Sequence, residues 1–155
     1  MPGIDGIGQL CRLYNLLLVV DAEVGLMVEH AHEVQSAYPL LDSPVALPAE
    51  GDAWVWGALT TIVPINTIGT DYQLHSLSIS AMSANASFAI RLSYGADDTL
   101  FAYAILTRGG VQIASVVIPV QGPIVPANSI FTAQLADSIG TSTLAMKIAY
   151  HAHAH

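Results

Sequence analysis

The chain has 155 residues, of which 53% are hydrophobic and only 10% charged, with 4 basic against 12 acidic residues and a formal net charge of −8. Soluble domains carry about 25% charged residues, so this chain leaves much neutral or apolar surface once a core is filled, and such surface usually meets a partner. The acidic balance argues against nucleic-acid binding, which needs clustered Lys and Arg, and the single cysteine, Cys11, excludes an intrachain disulfide.

Met1 to Gly8 lacks the basic region of a secretory signal. The apolar run Leu16 to Val20 is too short for a membrane span, which takes about 20 residues, so no membrane is expected. From about Ile7 to Ala37 there is no proline, and Leu10, Leu13, Leu17, Val20, Val24, Met27, Ala31 and Val34 recur in steps of three and four. That period predicts a long N-terminal α-helix, which ends before Pro39 because proline disfavours helical geometry at Tyr38.

Tyr14, Leu16, Leu18 and Val19 widen the apolar stripe, so the first half of the helix is apolar nearly all round, a mark of burial on several sides. Two packings fit: against the chain's own sheet, or among copies of itself or in another subunit. The broad stripe favours the second and nominates Leu10, Leu13, Tyr14, Leu17, Val20, Val24, Met27 and Val34 as an oligomer or partner interface. Residues 1–40 are thus expected to form a helical assembly arm, and 41–52, with Pro44, Pro48 and Gly51, a linker.

From 53 to 155 the period changes from helical to alternating. Strands are expected at Ala53 to Leu59, Asp71 to Ala81, Ser87 to Tyr94, Leu100 to Arg108, Val111 to Val120, Ser129 to Ala136 and Thr143 to Tyr150. Trp54 and Trp56 would share one face of the first and are candidate surface contacts. In the second, the apolar parity switches between Leu74 and Leu77, which hints at a bulge or a twist. Gly109-Gly110 reads as a tight hairpin turn. The fold class is mainly β: an antiparallel, jelly-roll-like β-sandwich with a long N-terminal helix.

No catalytic constellation emerges. There is no Gly-x-Ser-x-Gly elbow and no glycine-rich phosphate loop, so no enzyme and no cofactor are expected. His30 and His32 lie on different sides of a helix and cannot readily share a metal. His151, His153 and His155 would share one strand face with chelating spacing, but the plainer reading is a solvated, frayed terminus, and no metal site is assigned.

A set of framework motifs remains. Glu29-His30-Ala31-His32 leads into Tyr38-Pro39-Leu40-Leu41, followed by Ala53-Trp54-Val55-Trp56-Gly57 and Tyr72 to Ile79 with Ser83-Ala84-Asn85. Leu92-Ser93-Tyr94-Gly95, Ile124 to Ser129 and a last strand closing on Tyr150-His151 complete the series. This order resembles tailed-bacteriophage capsid decoration, or cement, proteins with a jelly-roll body, over nearly the whole chain from about Glu29. The resemblance implies a structural virion protein, made in the host cytoplasm, that forms a dimer or trimer and binds the major capsid protein on the capsid exterior. A glycan-binding adhesive module using Trp54 or Trp56, and a tail- or fibre-associated subunit, are the alternatives.

Overall fold

The computed structural model describes residues 35–40, 43–110 and 115–153. The chain divides between Glu33 and Val34, and all described residues belong to the second part. They form nine strands: β1 Gln35–Tyr38, β2 Val45–Pro48, β3 Thr60–Val63, β4 Asp71–Met82, β5 Ser87–Tyr94, β6 Thr99–Thr107, β7 Val116–Pro119, β8 Phe131–Asp137 and β9 Thr143–His153. One sheet has the order β1-β9-β4-β7, with β2 also on β9; the other has the order β3-β8-β5-β6. Every pairing is antiparallel. If β1 and β2 count as one interrupted edge strand, the eight strands divide between two four-stranded sheets in the order of a jelly roll.

The fold-class expectation is corrected at its N-terminal end, because no helix occurs among the described residues. Gln35 to Ala37, the expected last turn, pair as strand β1 with His151 to Ala149. The reason is non-local: β9 offers an edge of N–H and C=O groups, and pairing with it overrides a local helical period. The rest of the expected helix, with Leu10, Leu13, Tyr14, Leu17, Val20, Val24, Met27 and Val34, lies outside the described residues.

Three further expectations differ. Val45–Pro48, read as linker, is strand β2 against Met146 to Thr143; its Pro48 is tolerated because β2 is an edge strand. Ala53 to Leu59 is not a strand, because Trp54 adopts φ 63°, which breaks extended geometry. Gly109-Gly110 does not close a hairpin: β6 belongs to one sheet and β7 to the other, so the chain crosses between layers there.

The core lies between the sheets. Alternation places Phe88, Ile90 and Leu92 of β5 inward, with Leu144, Met146 and Ile148 of β9 facing them, all fully buried. Each such side chain contributes about 1.5–3 kcal/mol on burial. In β4 the register shifts between Leu74 and Ser76, so His75 is the extra residue of a bulge and Leu74 and Leu77 both reach the core. Aromatic rings of Tyr94, Phe101 and Phe131 meet edge to face at 6.3 and 5.5 Å, a favoured geometry.

Hydrogen bonds identify the two loop ends of the sandwich. At one, Ser83 N–H donates to Thr143 O, Arg108 N–H to Ala86 O, and Trp54 N–H to Asp137 O. At the other, Asn66 N–H donates to Asn128 O, Asn128 N–H to Ile68 O, and Gly95 N–H to Ile130 O.

Candidate interaction surface

Residues 49–59 form a strap from β2 of one sheet to β3 of the other, along the margin of β8. Three backbone bonds pin it: Ala49 N–H to Ser142 O (2.8 Å), Trp54 N–H to Asp137 O (2.7 Å) and Gly57 N–H to Leu135 O (2.8 Å). Gly140, at φ 77°, passes so close to the strap that a Cβ there would collide with the Gly51 carbonyl oxygen.

Asp137 organises the turn beneath the strap. Its carboxylate is fully buried and accepts from the N–H groups of Ile139 (3.1 Å), Gly140 and Ser142 (2.9 Å). Burial pushes its carboxyl up, but the Ser142 hydroxyl and the N–H groups of Ser142, Gly140 and Ile139 favour the ionised form and together hold it below the ordinary 3.8. This is architecture, since the carboxylate is taken up by three backbone N–H groups of its own turn.

The other side of the strap is different in kind. Trp54 is 53% exposed in its left-handed conformation and Trp56 is 36% exposed. For a bulky residue that backbone region costs about 1–2 kcal/mol, and such strain clusters at functional sites. The two tryptophans do not share a strand face as the alternation suggested. Instead Trp56 meets Tyr103 of β6, with ring centroids 6.0 Å apart and planes inclined by 36°.

Tyr103 stands opposite Arg91 of β5, and Arg91 opposite Gln134 of β8, so the three form a row on the outer face of their sheet. Arg91 Nη1 donates to Gln134 Oε1 (3.4 Å), and Gln134 Nε2 donates to the Gly57 carbonyl of the strap (3.0 Å). Ile105, two residues from Tyr103 on the same face, is 75% exposed. Trp56, Tyr103 and Ile105 thus surround a short polar track.

Tyr103, Ile105, Arg91 and Gln134 were not reached from sequence. In β6 both parities are apolar, and the bulkier set, Phe101, Tyr103 and Ile105, looks like the core. The register shift between Leu92 and Ser93 leaves Phe101 as an extra residue, so Ala102, Ala104 and Leu106 face inward and Tyr103 and Ile105 outward. The two-sided apolar pattern was the available signal.

The described histidines, His75, His151 and His153, lie on the opposite sheet. β9 continues through His153, so His151 and His153 are not in a frayed tail. His75 and His151 stack edge to face at 5.2 Å in a pocket of about 500 Å³ with Gln73, Gln121 and Gly122. Among the described residues no group of three or more His, Cys, Asp or Glu is placed to hold a metal, and no helix is long and apolar enough to cross a membrane.

No protein-family model matches the chain, and no curated protein matches it. Solved structures with a similar chain course include the infectious bursal disease virus Gx strain, at 12% identity and TM-score 0.37 over 77% of this chain and 32% of that chain. The VP2 subviral particle of the same virus aligns at 12% identity and TM-score 0.37, over 77% and 33%. This chain therefore spans about a third of the viral chains it matches. A carbohydrate-binding module of Cellvibrio mixtus lichenase 5A, in complex with cellotriose, aligns at 12% identity and TM-score 0.39, over 79% and 88%.

Proposed function

We propose that this chain is a structural virion protein of the capsid decoration type, which oligomerises and binds the major capsid protein on the outside of the shell to reinforce it. It acts without catalysis, cofactor, nucleic acid or membrane. The observation that carries this reading is the amount of apolar surface left in water by a sandwich whose inward positions are already filled. Leu40, Ile65, Val117 and Ile124 are exposed away from the strap, as are Trp54, Val55 and Leu59 on it.

Exposed patches of this kind mark interaction sites, and low charge suits close-packed contacts with little desolvation cost. At the loop end carrying Ile65 and Ile124, Asn66 and Asn128 hold left-handed backbone and bond across the loops. That end is therefore a braced apolar tip rather than a loose loop, suited to rigid docking. The net charge of −8 keeps the protein off packaged DNA. The motif order from Glu29 to His151 also resembles tailed-phage decoration proteins.

The test compares shells with and without the protein. Purified chain should sediment as a dimer or trimer, the usual closed symmetries for such assemblies, and should rebind shells that lack it. Shells carrying it should melt at a higher temperature. A monomer that fails to bind, or equal melting with and without it, overturns the proposal.

A further inference from the structure

We infer that Trp56, Tyr103, Arg91 and Gln134 form a carbohydrate-binding subsite that takes a pyranose ring of a glycan. Three features point to that ligand class. First, the site pairs two part-exposed aromatic rings, 6.0 Å apart and inclined by 36°, with hydrogen-bonding side chains on the same face. A pyranose presents the matching combination: an apolar C–H face that packs on an aromatic ring, and an equatorial rim of hydroxyls. A purely apolar protein contact has no use for the polar row, and an anion site has none for the rings.

Second, the polar groups are oriented in advance. Gln134 is held by the Gly57 carbonyl and in turn accepts from Arg91. That bond aligns the guanidinium through Nη1; Nε is buried, and the remaining donors are those of the two terminal nitrogens. Fixed donors beside a hydroxyl-rich ligand lower the ordering cost of binding.

Third, the strap that carries Trp56 is rigid. Its backbone is pinned to Asp137 and Leu135 on either side of the tryptophan, so the indole is presented at fixed height above Tyr103. Arg91 is the only charged member of the row, so the site accepts neutral sugars and favours those carrying a carboxylate.

The inference does not rest on capsid attachment and holds for the full chain in isolation. The experiment screens the intact protein on an array of neutral, uronic-acid and sialylated glycans, then titrates the best binder while following tryptophan fluorescence. Binding should shift the emission, and the shift should persist in Trp54→Phe and vanish in Trp56→Phe. Trp56→Ala and Tyr103→Ala should each weaken binding by about tenfold or more, as loss of an aromatic anchor does. Ile65→Ser, at the far loop end, should bind the glycan normally and lose shell binding instead, which separates this inference from the capsid reading. Circular dichroism confirms folding, and the bulkier non-aromatic Trp56→Leu and Tyr103→Leu serve if an alanine variant does not fold. Absence of any glycan binder, affinity unchanged by substitution at Trp56 and Tyr103, or loss of shell binding alone in those variants would overturn it.

Discussion

On its inner side the 49–59 strap meets Asp137, a buried carboxylate whose oxygens take three backbone N–H groups from a single turn. On its outer side the same strap carries Trp54 and Trp56 into solvent, one of them on strained backbone. The inner margin consumes its polar groups internally and buries them. The outer margin leaves rings and hydrogen-bond donors facing out, which contributes little to the stability of the isolated sandwich. The contrast teaches where to look for function: in the region that folding does not need. Substitutions on the inner side should therefore cost stability and spare binding, and those on the outer side should do the reverse.

The largest effect is expected at Asp137. Asp137→Ala orphans three N–H groups at a buried site, and the loss should be roughly 3–5 kcal/mol, since each unsatisfied group costs about 1–3 kcal/mol. Urea unfolding measures it, and a loss near zero would mean that water replaces the carboxylate. Next comes Gly140→Ala, which combines φ 77° with a collision at the Gly51 carbonyl. It should cost roughly 1–3 kcal/mol, read as a lower melting temperature, and should loosen the strap.

Acid tests the same margin without mutation. The folded Asp137 carboxyl titrates below its ordinary 3.8, so its stabilisation is complete above that value and is lost as the pH falls through the folded value. The urea midpoint should drop on acidification below about pH 4. The part of that drop due to Asp137 should be absent in Asp137→Ala.

Two smaller effects have the opposite sign. The Tyr72 hydroxyl is buried with no hydrogen-bond partner among the described residues, and burial, with Tyr150 adding to it, pushes the phenol up. Tyr72→Phe removes that orphan and should raise stability by about 1 kcal/mol. Trp54→Gly relieves the left-handed backbone, worth about 1–2 kcal/mol, against about 0.5–1 kcal/mol of added chain entropy. A net gain on the order of 0.5 kcal/mol would place Trp54 with the functional margin. A clear loss would move it into the architecture.

Much of the sandwich was legible in the sequence, and for a local reason. Ser87 to Tyr94 alternates Phe88, Ile90 and Leu92 against Ala89 and Arg91, and β5 has those bounds. The parity switch between Leu74 and Leu77 pointed to a bulge or a twist, and a bulge lies there, at His75. In each case the alternation of apolar and polar side chains along the strand carries the signal. The aromatic surface was legible only in part: Trp54 and Trp56 stood out by type, but their partners did not.

By itself the sequence determined a charge-poor chain, with 4 basic against 12 acidic residues, whose alternating segments can bury two facing sheets. Only the tertiary structure decided that Gln35–Tyr38 and Val45–Pro48 are strands, because the partner edge of β9 lies a hundred residues along. It alone decided that Gly109-Gly110 leads between sheets rather than around a hairpin, since glycine permits either course. And it alone brought Tyr103, Arg91 and Gln134 beside Trp56, because which parity of β6 faces outward depends on a bulge against β5, and register between strands is a property of the pair rather than of either segment.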